Sequence, residues 1–373
     1  MRIFIKNKAI RGKGKWIGWI TLTLFLGALS DFPLTQAAGP TEEGNKKLDI
    51  KQQKLWAQLK ACPFKIIHET YRQKNWELVI RNADGSHPVN ITNSPELDEM
   101  FPHASADGTK VVFVAEQGQG ENRTRDVYYM NSDGTGRIKV GVNGRQPFWS
   151  PDGSMIAFLQ GTHVNYGEGG GANRELCFYN LKTKKVARHP RQDMAGLLNP
   201  GWSSDGKWII SSVMGGMGFS HSICAIEVDR EKIVELRRSR VEADNIYQCR
   251  PDLSADSQRI AWGKEACDDR MWVEIGDIDL TLPEPQITNL RYVVTIPFPL
   301  QTYHVDWSPD NKYIVYSQGG RGTRMEPAGY VVGNQAKGWD LWVVDPYQPE
   351  VKVQITRDGL SNKEPDWIYV EPR

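Results

Sequence analysis

Five polar residues recur in register along the chain and could converge on one point: Gln146, Asn199, Arg250, His304 and Glu364, with Phe101 as an apolar sixth. Each lies three residues before a reference position held by Ala104, Trp149, Trp202, Leu253, Trp307 or Trp367. Successive reference positions are 45, 53, 51, 54 and 60 residues apart. Two amides or amide-like groups, a guanidinium, an imidazole and a carboxylate meeting at one mouth suit the binding of a polar ligand, a peptide segment or an ion. The blander use of the same residues is a solvated rim, with Arg250 paired to Glu364. A sharper use is a metal site drawing on His163, His221 and His304, with Gln146 close by, because imidazole suits transition metals.

Covalent and hydrolytic catalysis find little support. There is no Gly-x-Ser-x-Gly elbow, and Gly218-Phe219-Ser220-His221-Ser222 does not form one. His68-Glu69 has no second His at zincin spacing, and Gly167-Glu168-Gly169-Gly170-Gly171 lacks the Lys of a phosphate-cradling loop. Apart from a metal ion, no cofactor is called for. Five cysteines, Cys62, Cys177, Cys224, Cys249 and Cys267, match no zinc spacing, and the odd number leaves one thiol unpaired. Cys249–Cys267 is the favoured bridge, because the first begins a strand and the second lies in the following loop on the same face. The others read as buried thiols.

The elements that must position these residues are marked by a recurring turn. Pro147-Phe148-Trp149-Ser150-Pro151-Asp152-Gly153 runs from a strand through a type I turn into Met155-Ile156-Ala157-Phe158. The box returns at Pro200–Gly206 and Val305–Asn311, in degenerate form at Pro102–Gly108 and Pro251–Ser257, and truncated at Pro365-Asp366-Trp367. Within each interval a second strand (such as Ile156–Leu159), a variable loop, a third strand (such as Leu176–Tyr179) and a short fourth strand follow. Four antiparallel strands per unit of this length predict an all-β fold, a β-propeller. Residues 65–69, Glu77–Ile80 and Val89–Thr92 read as a blade without its first strand, and the C-terminal Pro365–Val370 as a first strand without a blade. Joined, they make six blades and close the ring through one blade shared by the two termini. The second-to-third-strand loops, Gly161–Asn173, Gly215–Ser220, Gly263–Arg270 and Gly319–Gly338, share the face of the polar ring, and long loops on a rigid scaffold carry binding.

Before the blades, residues 1–38 have the grammar of a secretory signal peptide: six Lys or Arg up to Lys15, an apolar run from Trp16 to Leu29, and small residues at Ala37-Ala38. The run is short for a membrane anchor, which needs about 20 residues. Residues 39–62 read as a linker with a short amphipathic helix over Leu48–Leu59, and 63–373 as the propeller. Cleavage after residue 37 leaves 40 basic against 44 acidic residues, so a mildly acidic surface offers no electrostatic case for nucleic acid. A periplasmic or secreted monomer without a stable membrane anchor is the expectation.

The box Trp-Ser-Pro-Asp-Gly before Ile-Ala-Phe, with Asp126-Val127-Tyr128-Tyr129-Met130-Asn131-Ser132-Asp133-Gly134 downstream, resembles the repeat of TolB-type propellers. The resemblance covers roughly residues 63–373. It implies a periplasmic, non-catalytic propeller that binds a protein or another cell-envelope component on its loop-rich face. In that family the propeller binds the peptidoglycan-associated lipoprotein of the Tol–Pal system, a role the resemblance leaves open for this chain. The α/β domain that precedes the propeller in that family has no counterpart between the leader and residue 63. The His and Gln types also look like those of oligogalacturonate-lyase propellers, which implies the alternative of a metal-dependent carbohydrate-active enzyme.

Overall fold

The computed structural model describes residues 48–118, 124–161, 173–238, 247–265, 271–297, 299–320 and 338–369. The leader expected over 1–38 lies outside them. Among these residues, 24 strands form six four-stranded antiparallel sheets. Five sheets are contiguous in sequence: β4 (Asp98–Ala104) to β7 (Ile138–Gly141), β8 (Gly144–Trp149) to β11 (Lys185–Arg188), β12 (Leu197–Trp202) to β15 (Ile233–Arg238), β16 (Tyr247–Leu253) to β19 (Gln286–Ile296), and β20 (Leu300–Trp307) to β23 (Lys352–Gln354). The sixth takes β1 (Phe64–Arg72), β2 (Asn75–Asn82) and β3 (Val89–Asn90) from the start and β24 (Ser361–Tyr369) from the end, in the order β24-β1-β2-β3. The six-bladed propeller with a shared closing blade is therefore the fold. Phe64 pairs with Tyr369 and Tyr71 with Ser361, so the closure runs the length of both strands.

The box sets each turn by the same bonds. Ser150 Oγ donates to Asp152 Oδ1 (2.6 Å), Gly153 N to Ser150 O (2.9 Å) and Met155 N to Ser150 Oγ (2.9 Å). The Ser-to-Asp bond recurs at Ser105–Asp107, Ser203–Asp205, Ser254–Asp256 and Ser308–Asp310, at 2.6–2.8 Å. Gly108 has a second duty. Its φ is +69°, and a Cβ there would stand 1.6 Å from the carbonyl oxygen of Tyr369, so this glycine makes room for the closing strand.

Box residues also tie blade to blade. Trp149 Nε1 donates to His103 O and Trp367 Nε1 to Asp306 O, both at 3.2 Å. The spaces between sheets are filled with aliphatic and aromatic side chains, as where Trp149, Phe158 and Tyr179 meet Val112, Val127 and Tyr129. Helix α1 (Ile50–Lys60) starts from a reciprocal Asp49/Gln52 capping box. It lays Leu55 and Leu59 on Leu341, Val343, Val353 and Trp367, and Gln52 Nε2 donates to Lys352 O (3.0 Å), so it covers the seam beside the closing blade.

One expected loop is absent. Gly215–Ser220 lies almost wholly within the hairpin of β13 (Trp208–Gly216) and β14 (Phe219–Glu227), where Gly216 pairs with Phe219 around Met217 (φ +52°) and Gly218 (φ +85°). Two consecutive positive-φ residues make the tight primed turn that continues a twisted ladder, which the glycine count had disguised as loop. The outer strand β19 is also longer than its Ile287-Thr288 signal suggested, at eleven residues.

Candidate functional site at the channel mouth

The polar ring owes its geometry to a repeated backbone irregularity. The pairing of each innermost strand with its neighbour shifts register around the ring residue, as between Arg145 and Phe148 or Leu198 and Gly201. Five ring residues are followed by Pro, which has no N–H to continue the ladder, so the strand bulges there. Phe101, Gln146, Asn199, Arg250 and Glu364 all adopt left-handed conformations, with φ of +53°, +43°, +46°, +60° and +45°. Such residues are strained by on the order of 1 kcal/mol or more each, and strain of this kind gathers at ligand sites.

The expected ring residues meet in one connected network. Asn199 N donates to Gln146 Oε1 (3.0 Å) and Gln146 Nε2 to Asn199 Oδ1 (2.7 Å). Asn199 Nδ2 reaches His304 Nδ1 (2.8 Å), which also lies 3.1 Å from Glu364 Oε2. Arg250 forms an ion pair with the other oxygen of Glu364, and its main-chain N–H donates to Ser212 Oγ (2.9 Å). Burial would raise the Glu364 carboxyl, but Arg250 and His304 together hold it down to about 2. The network spans five blades, because its residues come from β8, β12, β16, β20 and the shared β24.

Below it lies a layer that sequence reasoning passed over. Asp252, Asp306 and Asp366 stand two residues after the last three ring positions. Each accepts the main-chain N–H of the next blade's reference residue: Asp252 from Trp307 (2.7 Å), Asp306 from Trp367 (2.8 Å) and Asp366 from Ala104 (2.5 Å). Burial raises Asp252 to about 6, and burial with the neighbouring Asp366 carboxyl drives Asp306 well above the usual range. Their spacing was legible as an Asp in three consecutive boxes; their burial was not. Glu69, in β1, was likewise missed. Its Oε2 accepts Phe101 N (3.0 Å), and its Oε1 has no hydrogen-bond partner among the described residues. Burial and the charge of Glu364 raise it to about 8. Beside it Lys363, 1% exposed, lies between the rings of Trp339 (4.5 Å) and Trp76 (5.9 Å). Burial lowers its ammonium to about 8 against the pull of Glu69 and Glu364.

The two layers line an open-mouthed cavity of about 50 Å³ whose walls include Gln146, Asn199, His304, Glu364, Asp252 and Asp306, with Phe101, Phe148 and several box prolines between them. One water needs on the order of 10–15 Å³ by this measure, so roughly three or four heavy atoms fit. The space takes a side-chain head or a small ion.

The remaining expected residues are not gathered here. His221 is on β14 and partly buried; burial lowers its imidazole. His163 lies outside the described residues, and among those described no group of three His, Cys, Asp or Glu side chains is disposed to hold a metal ion. The Cys249–Cys267 bridge also falls outside: Cys267 and the side chain of Cys249 are not described. Cys177 and Cys224 are buried free thiols, raised by burial to about 11 and about 12, and Cys62 is a partly buried one. Among the described residues no helix is long and apolar enough to cross a membrane.

No protein-family model matches the chain, and no curated protein matches it in sequence. Solved structures do match. TolB from Acinetobacter baumannii superposes with a TM-score of 0.60 at 20% identity, over 82% of this chain and 66% of that one. The Kuenenia stuttgartiensis hydrazine synthase gives 0.57 at 12% identity, over 83% of this chain and 47% of that one. The chain thus spans less than two thirds of either. At these identities the likeness is one of fold: the chain is a TolB-like six-bladed propeller.

Proposed function

We propose that the protein is a non-catalytic binding scaffold of the cell envelope that docks a segment of a partner protein, or an envelope component, at the channel mouth. One observation carries this reading: five bulged, left-handed residues from five different blades aim their side chains at one mouth, where four polar ones interlock with His304 above a small cavity. A packing layer needs neither the strain nor the polarity. The signal-like residues 1–38 and the likeness of fold to TolB support an exported location, periplasmic or secreted. The size of the cavity suits a protruding side chain.

The test is capture of envelope proteins by the purified chain, wild type against His304→Ala. His304 is the ring member with the greatest exposure in the network, at 19%, and its removal leaves the Arg250–Glu364 pair in place. We expect the variant to keep its melting temperature within a few degrees and to lose the captured partner. Identical partner profiles would reject the channel mouth as the docking site.

A further inference from the structure

Of the six outermost strands, β11 alone is exposed at every residue, Val186 among them at 48%. It pairs on one side with β10 (Asn173–Asn180), and among the described residues no strand pairs with its other side. The register says which main-chain groups that free edge presents. His189 N donates to Leu176 O (2.8 Å), and the pairing continues from Cys177 with Arg188 to Asn180 with Lys185. In an antiparallel ladder the residues bonded to the neighbouring strand alternate with residues that are not. His189, Ala187 and Lys185 therefore face β10, while Val186 and Arg188 turn their N–H and C=O groups outward. Both ends of the strand are fixed. Asn180 Oδ1 accepts Lys182 N (3.1 Å) and Thr183 N (2.8 Å) in the turn before it. After it, His189 Nδ1 accepts Arg191 N (3.1 Å), which leaves Nε2 to donate to Glu227 O of β14 in the next blade (2.8 Å). The edge is thus held ready in strand geometry.

Its charge is as uneven as its exposure. Residues 181–191 hold Lys182, Lys184, Lys185, Arg188 and Arg191 and no Asp or Glu, in a chain that is mildly acidic beyond its leader. Arg188 pairs with Glu175 and Arg191 with Asp193. Lys182, Lys184 and Lys185 are exposed and have no ion pair among the described residues. We propose that the free edge of β11 takes up an extended acidic segment of another protein as a fifth strand. The main chain of that segment bonds to Val186 and Arg188, and its carboxylates meet the three lysines. Lysines on an edge ward off pairing between like copies, so a second copy of this basic strand is repelled while an acidic one is drawn in. A lipid surface would meet the lysines but leave the ladder of main-chain groups unused. The surface is independent of docking at the channel mouth, since none of these residues lines that cavity.

The experiment titrates the ¹⁵N-labelled full chain, at about 50 mM salt to limit screening, with the peptide acetyl-Asp-Glu-Val-Thr-Val-Glu-Asp-amide and with its charge-reversed counterpart in which Lys replaces every Asp and Glu. We expect saturable binding of the acidic peptide alone, with the largest amide shifts at Val186 and Arg188. The combined Lys182→Glu, Lys184→Glu and Lys185→Glu variant should weaken binding by about tenfold or more, since each exposed pair contributes modestly and three add up. Val186→Pro removes an outward N–H without touching the bonds to β10, and edge strands tolerate proline. It should keep the melting temperature and weaken the acidic peptide by about tenfold, as loss of a ladder bond does. If that variant unfolds, the shifts in the wild type decide. No saturable binding, equal binding of the two peptides, shifts that spare Val186 and Arg188, or a folded Val186→Pro chain that binds as well as wild type overturns the proposal. Adsorption to phosphatidylglycerol vesicles that needs the three lysines, without peptide binding, puts a membrane in place of the strand and overturns it too.

Discussion

Glu364 is buried, carries a charge and sits between a guanidinium and an imidazole, so its protonation is tied to folding. Its carboxyl is held to about 2, below the ordinary 4.5. A depressed carboxyl contributes stability that is present above the unfolded value and lost as pH falls through the folded one. We expect wild type to lose about 3 kcal/mol between pH 5 and pH 2 from this group, and Glu364→Gln to show a flatter acid limb in urea titrations. Glu69 works with the opposite sign. Raised to about 8, it contributes stability that is present below 4.5 and declines as pH rises through 8. Glu69→Gln should therefore remove part of the loss of stability between pH 5 and pH 9. Arg250→Met alone leaves Glu364 buried without its guanidinium and should cost about 3–5 kcal/mol, whereas Arg250→Met with Glu364→Gln should recover most of that, because the penalty lies in the orphaned charge. The residue types at the mouth were legible from the repeat register. Glu69 and Lys363 were not, since neither occupies a repeated position and their burial comes from packing between the ends of the chain.

At the scale of the element, the turn box does two jobs that look alike in sequence. Gly153 (φ +68°) has nothing within 4 Å of a would-be Cβ, so Gly153→Ala meets only backbone strain, about 1–2 kcal/mol. Gly108 has nearly the same φ but a Cβ there would collide with the Tyr369 carbonyl. We expect Gly108→Ala to lower stability more than Gly153→Ala does, and amide exchange along Ser361–Tyr369 to speed up only in the former. The period of the strands was readable because alternating apolar residues and Ser-Pro-Asp-Gly turns have local causes. The hairpin at Met217-Gly218 was misread as a loop because glycine serves tight turns and long loops equally. Which glycine meets a distant strand is written in no local pattern.

The ring as a whole is fastened at one place, the ladder of β1 with β24, and α1 is laid over the adjoining seam. Deleting residues 363–373 removes the innermost strand of the shared blade together with Lys363, Glu364, Asp366 and Trp367, which reach Trp76, Trp339, Arg250, Ala104 and Asp306. We expect the truncated chain to lose cooperative unfolding; calorimetry showing an unchanged melting transition would refute the shared-blade closure as the stabilising feature. Removing α1 alone should be milder, a few kcal/mol from uncovering Leu55 and Leu59, with the mouth network intact.

Read as text, the chain already held the six-fold repeat, the turn chemistry, the joining of its two ends and the five polar side chains of the mouth. These follow from short-range rules: proline and glycine dihedrals, strand alternation and a period that counts blades. Tertiary structure alone decided that five of the six ring residues are left-handed, because a bulge is defined by the strand it faces. It also decided the joining of Gln146, Asn199 and His304 into one network, and the surroundings that pull Glu69 and Glu364 apart in acidity. Those properties depend on groups about fifty to three hundred residues away in sequence, and only closure of the ring brings such groups within a hydrogen bond of one another.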